Sequence, residues 1–189
     1  AGACVVVPNY ALCPAVSIPE IVMQMVRALA WTWRNIGKRG GDRNRIVVAG
    51  HSAGGHLAAM MLSCVWPAFA PDLPPDLVKR ALSISGVYDL DPIMHTPFLE
   101  ADLRLTEEQV RQASPALLPP PRHGTLATVC GGDESEEFRR QNRLIRDAWG
   151  DQVVNVCEAL PGLNHFSVVE SMAQPGQRLH ELALGLVRK

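Results

Sequence analysis

Three residue types that cooperate in acyl transfer occur here at suggestive places: a serine in a glycine-framed corner, an acid after a glycine pair, and a histidine near the end. Residues 46–61, IVVAGHSAGGHLAAMM, set Ser52 in the pattern Gly50-His51-Ser52-Ala53-Gly54, between a strand-like and a helix-like run. A nucleophile at such a strand-to-helix turn sits on strained backbone, and the helix beginning behind it favours developing negative charge. Gly50 and Gly54 are expected to be glycines because side chains two residues from the serine would collide with the strand and the helix. Taken alone, the motif has a competing reading, a glycine-rich turn whose serine only caps the helix.

A serine hydroxyl is a poor nucleophile until a base takes its proton. Of the six histidines, His51 lies inside the motif, with its side chain expected to diverge from that of Ser52. His56 falls on the following helix, His180 sits in the last helix among polar residues, and His95 and His123 lie in loops. His165, in LPGLNHFSVVE, follows the last strand-like run and so reaches the same sheet edge as Ser52, which makes it the candidate base. The acid is expected between them. TLATVCGGDESEEF ends a strand and turns through Gly131 and Gly132 into Asp133, whose carboxylate would hold the imidazole tautomer and stabilise the imidazolium. Glu134, Glu136 and Glu137 are rivals, read instead as favourable charge in the first turn of the next helix. The N–H of Ala53 is the candidate oxyanion donor. No HExxH or paired-cysteine metal pattern and no phosphate-cradling glycine motif follows a strand, so neither metal nor cofactor is expected.

These residues need a scaffold that brings three distant segments to one edge. Apolar runs at 4–8, 46–50, 81–86, 125–130 and 153–159 read as buried strands. Between them, SIPE at 17–20 has the spacing of a capping box with Pro19 in the first turn. Val22, Met25, Val26, Leu29, Trp33 and Ile36 then form one apolar stripe, ended by Gly40 and Gly41, with Trp31 and Trp33 read as packing residues. Further helices are expected at 53–64, 135–148 and 177–188. The alternation predicts an α/β fold with a mostly parallel sheet flanked by helices. Residues 87–121 break the rhythm. They contain one short helix, TEEQVRQA, capped by Thr106, and are otherwise loop and proline. They read as a lid-like insertion at the site edge, the alternative being a surface excursion without a role.

Composition bounds the partners. The 189 residues are 47% apolar and 20% charged with a formal net charge of -1, which suits one globular domain and disfavours nucleic acid or an anionic membrane as partner. No apolar run approaches the roughly 18 residues a membrane span needs. Five cysteines without a CxxC pair read as reduced thiols of a cytoplasmic protein.

The stretches VVVPNYALCP, VVAGHSAGGHLAAMM, SGVYDLDPI, RQASPALLPP, GGDESEEFRRQ and GLNHFSVVE together resemble the α/β-hydrolase superfamily, and within it the kynurenine formamidase-like (arylformamidase-like) serine hydrolases. The resemblance implies hydrolysis of an aryl formamide such as N-formylkynurenine, in tryptophan catabolism and without a cofactor. It implies Ser52 as nucleophile, Asp133 as acid and His165 as base. A short-chain carboxylesterase on the same machinery and a non-catalytic remnant are the alternatives. The resemblance implies a small aryl formamide or ester as substrate, and self-association is compatible with this reading. Family members also carry an HGG-type motif upstream of the VVVPNY strand, whose N–H groups form half of the oxyanion hole. These 189 residues contain no such motif. The expectation is therefore a single domain over 1–189 representing the C-terminal portion of the fold. The N-terminal strands would be absent, stability weak and turnover at least a hundredfold reduced, since one oxyanion donor is worth about 2.7–4 kcal/mol.

Overall fold

A computed structural model describes residues 2–188. Strands β1 (Val47–His51), β2 (Arg80–Ile84), β3 (Thr125–Gly131) and β4 (Val154–Leu160) form one parallel sheet in the order β1-β2-β3-β4. Each strand falls within two residues of an expected apolar run. Because neighbours are parallel, all four carboxyl ends lie on one edge, and the register aligns His51 with Ile84 and Ile84 with Val129. The β3–β4 ladder carries one irregularity after Leu126, which pairs with Val154 while Ala127 pairs with Val156.

Helix α1 (Ile18–Asn35) precedes the sheet, α2 (Ala53–Ser63), α3 (Trp66–Phe69), α4 (Asp91–Met94), α5 (Pro97–Leu103), α6 (Glu107–Ala113) and α7 (Glu136–Trp149) connect its strands, and α8 (His165–Glu170) and α9 (Arg178–Arg188) follow it. The capping box of α1 forms as its sequence predicts: the Ser17 N–H donates to the Glu20 carboxylate at 2.6 Å, and the Glu20 N–H donates to the Ser17 hydroxyl.

Residue alternation along the strands divides the core. Ala81, Leu126 and Val154 face one side and pack with Val22, Met25 and Val26 of α1, Leu57 and Met61 of α2, and Ile145 and Trp149 of α7. Leu82, Ala127 and Val129 face the other side and pack with Val168 of α8 and Leu179 of α9. Such two-sided burial is why these strands read as continuous apolar runs rather than alternating ones.

Three expectations are corrected. Residues 4–8 form no strand and lie outside the sheet, with Val5 and Val7 exposed by 78% and 87%. β-Branched residues make a strand only where a neighbouring edge pairs with them. Here a cleft of about 530 Å³ separates this segment from β1, lined by Val6 and Val7 on one side and by Leu29, Val48, Leu57 and Met61 on the other. Trp31 is half exposed on the outer face of α1 rather than packed, while Trp33 lies against the core with the Arg43 guanidinium over its ring at 4.7 Å. The insertion is more helical than its prolines suggest, carrying α4 and α5 as well as the expected α6 with its Thr106 capping box. It is also clipped down. His56 Nε2–H donates to the Ala113 carbonyl at 2.6 Å, and Trp149 Nε1–H donates to that of Pro115 at 3.1 Å.

All five cysteines are free. Among the described residues no helix is long and apolar enough to cross a membrane.

Candidate active site

The four carboxyl ends of the sheet each deliver one element of the site. At the end of β1, Ser52 turns the chain into α2 with φ 57° and ψ −117°, outside the regions that side-chain-bearing residues favour. The turn is pinned by the Ser52 N–H, which donates to the Ile84 carbonyl at 2.8 Å. A Cβ on Gly50 would lie 2.2 Å from the Gly54 carbonyl oxygen, so the corner closes only with glycine there. The expectation for Gly54 is different in the structure: a Cβ there meets nothing within 4 Å and would project towards the cleft beside β1. Ala53 is the first residue of α2, so its N–H has no acceptor within the helix.

At the end of β4, His165 opens α8, capped by Asn164. Its Nε2 lies 3.1 Å from Ser52 Oγ, and its Nδ1 lies 2.7 Å from Glu134 Oε2. A carboxylate only accepts, so Nδ1 carries the proton and Nε2 is left to accept from the serine hydroxyl. Ser52 and His165, expected together, are thus within hydrogen-bonding distance across 113 residues of chain.

Asp133 is not the histidine's partner. Its side chain is exposed, and its backbone N–H instead donates to the Leu163 carbonyl at 3.0 Å, tying the β3 turn to the loop that carries His165. The acid beside the imidazole is Glu134. Its side chain is fully buried, and its other oxygen accepts from the Gly131 N–H at 2.6 Å and from the Ser85 hydroxyl at 2.5 Å. Three donors therefore satisfy a carboxylate that burial alone would make costly. The physical reason for the one-residue difference is the start of α7. Ser135 is its N-cap, accepting from the Phe138 N–H, so Glu136 and Glu137 occupy the first turn and Glu134 precedes the helix. The turn then folds Glu134 back under the sheet edge, held by Arg139, whose guanidinium donates to the carbonyls of Gly132 and Glu134 at 2.9 and 2.6 Å. The acid turn and the histidine loop meet closely: a Cβ on Gly131 would lie 2.2 Å from the Leu163 carbonyl oxygen.

Two further residues escape a reading of the sequence. Ser85, at the end of β2, holds Glu134 from a second left-handed conformation, φ 49°. His51, rather than diverging, places Nε2 2.8 Å from the carbonyl oxygen of His165 and stacks on its ring, with centroids 4.5 Å apart. Burial, and then the neighbouring imidazole, lower the pKa of His51 and keep it neutral. The ring of Phe138 lies 4.5 Å from the His165 ring. Three other histidines serve elsewhere. His56 is buried in α2 with its pKa pushed down by burial, His95 caps a local turn through the Asp91 carbonyl, and His180 bonds the Met172 carbonyl. Away from the site, Trp66 is a core residue at 1% exposure, and Phe98 in the 87–121 excursion is exposed at 80%.

A parallel sheet that brings a strained serine, an imidazole and a buried acid together from separate strand ends is the layout of the α/β-hydrolase fold. Residues 1–140 match the family model for the alpha/beta hydrolase fold, and the chain belongs to that family. It is 30% identical over 194 residues to kynurenine formamidase of Danio rerio, an alignment covering 100% of this chain and 64% of that protein. It is 37% identical over 204 residues to Esterase LipC of Mycobacterium tuberculosis, covering 94% of this chain and 48% of the relative. Its fold is similar to that of EstE1, a thermophilic carboxylesterase cloned from a metagenomic library, with a TM-score of 0.71 and 22% identity over 94% of this chain and 66% of that one. The chain spans 64% of the length of the fish kynurenine formamidases it matches.

Proposed function

We propose that this chain carries the acyl-transfer machinery of a serine hydrolase acting on small acyl groups, most favourably an arylformamidase for N-formylkynurenine-like aryl formamides. The observation that carries the reading is the continuous Glu134–His165–Ser52 hydrogen-bond relay. In this reaction His165 Nε2 takes the proton of Ser52 Oγ–H as the oxygen attacks the formyl carbon. Glu134, accepting from Nδ1–H, stabilises the imidazolium. The Ala53 N–H meets the oxyanion. Collapse of the tetrahedral adduct breaks the C–N bond, and His165 returns its proton to the departing arylamine. Water, deprotonated by the same imidazole, then attacks the formyl carbon of the acyl-serine, and the C–Oγ bond breaks to release formate as the imidazolium returns its proton to Ser52 Oγ. No step draws on a metal or cofactor.

The formamide reading leans on the fish relatives, the ester reading on LipC and EstE1. One machinery serves both, since fold does not choose the substrate. Rates on a formyl anilide and on a butyryl ester separate them: a preference for the formanilide supports the formamidase, and a preference for the ester transfers the assignment. Ser52→Ala should lower either rate on the order of a millionfold, as in other triads, and retained hydrolysis moves the nucleophile elsewhere.

We further propose that the cleft beside β1 is occupied in the working enzyme by an extended segment from outside these 189 residues. It would pair with the open edge of β1 and add the second oxyanion donor. The unpaired edge, the apolar lining and the empty space at Gly54 support this. Extending the chain with the segment that precedes the matched region in a kynurenine formamidase should raise both its melting temperature and its turnover. No change in either refutes the idea.

A further inference from the structure

We propose that His51, the first variable residue of the GxSxG motif, is a positioning residue for the base His165, gripping its main chain with one ring nitrogen and walling its imidazole with the ring. The inference rests on reading Ser52 and His165 as nucleophile and base, and adds a residue that this reading does not require. His165 needs three coordinates fixed: the rotation of its ring, the tilt of its ring plane and the height of its backbone above the sheet edge. Glu134 fixes the first through Nδ1. The rings of His51 and Phe138, each 4.5 Å away by centroid, restrict the second. The third falls to His51. A carbonyl oxygen only accepts, so the 2.8 Å contact to His165 O makes His51 Nε2 the donor.

The arrangement is economical in geometry. His51 is the last residue of β1 and Ser52 the next in sequence, so nucleophile and base are joined by one residue's side chain as well as by their own hydrogen bond. A shift of α8 and its histidine away from the sheet would stretch both contacts together. The neutral state of His51 suits the role. A protonated imidazole beside His165 would oppose the imidazolium that forms during catalysis, and burial disfavours that charge.

The test uses the chain as it stands and a fluorophosphonate probe that reacts only with an activated serine. The amide nitrogen of glutamine lies as many bonds from Cβ as imidazole Nε2 does. That of asparagine stops one atom short, and leucine offers no donor. His51→Leu and His51→Asn should slow the maximal labelling rate of Ser52 about tenfold, the worth of one hydrogen bond, with the half-saturating probe concentration within about twofold. His51→Gln should restore the rate to within about threefold. Melting temperatures show that each variant is folded, and the polar asparagine variant carries the test where leucine disturbs the corner. Labelling of the leucine and asparagine variants at the original rate overturns the proposal, as does a glutamine variant as slow as leucine or a loss confined to half-saturation. Absence of labelling in the unaltered protein instead removes the parent reading, and this one with it.

Discussion

Glu134→Gln is the change that most sharply separates the geometry of this site from its sequence pattern. The glutamine carbonyl can still accept from the Gly131 N–H and the Ser85 hydroxyl, so the buried pocket keeps its packing and two of its hydrogen bonds. What changes is the group facing His165 Nδ1, 2.7 Å away, from an acceptor into an amide donor. Nδ1 must then accept and Nε2 must carry the proton, which turns the nitrogen facing Ser52 into one that cannot take the hydroxyl hydrogen. The equivalent tautomer inversion in a serine protease costs about 10⁴ in turnover, or about 5.4 kcal/mol of barrier, and the same loss is expected here. Asp133→Asn, by contrast, alters an exposed side chain next door and should change turnover less than about twofold. Hydrolysis of a 4-nitrophenyl ester and the rate of Ser52 labelling report both. A loss of a hundredfold or more in the asparagine variant, with the glutamine variant near the original rate, would refute the assignment and return the acid to Asp133.

Other outcomes follow from the same contacts. Gly50→Ala forces a Cβ to 2.2 Å from the Gly54 carbonyl and should cost more than about 3 kcal/mol in urea unfolding, whereas Gly54→Ala, with open space and a helical position, should stabilise this chain by up to about 1 kcal/mol. Ser85→Ala removes one of three donors to the buried Glu134 and should slow Ser52 labelling about tenfold while lowering stability by about 1–2 kcal/mol; unchanged labelling counts against Ser85 as a support of the acid. His56 has its folded-state pKa lowered by burial, so the unfolded chain binds a proton that the folded one refuses. Stability should therefore fall as pH drops below about 6.5, by up to about 1.4 kcal/mol per pH unit, with a smaller contribution from His51, and His56→Gln should flatten that slope. Stability independent of pH between 7 and 5 contradicts it.

What the sequence made legible was whatever the backbone dictates locally. The capping box at Ser17, the cap at Thr106 and the glycine-framed corner at Ser52 are short-range patterns with short-range physics, and each appears where its residues place it. His165 was legible because a parallel sheet sends every carboxyl end to one edge. The acid was not, because the choice between adjacent carboxylates turns on a single residue of helix start. Ser135, a good N-cap with Glu136 and Glu137 after it, was the available signal that Glu134 lies before the helix rather than in it. His51 and Ser85 left no sequence trace of their contacts, since their partners lie 114 and 49 residues away. Residues 4–8 misled because β-branched composition reports suitability for a sheet, not the presence of a neighbour.

The clipping of the 87–121 excursion at Ala113 and Pro115 has a consequence for how such a molecule diversifies. Its outer helices can change sequence without tugging on the strands, since His56 and Trp149 moor the returning chain to α2 and α7. The rim of the sheet and the outer helices of the excursion can therefore vary independently of one another, because the moorings lie between them.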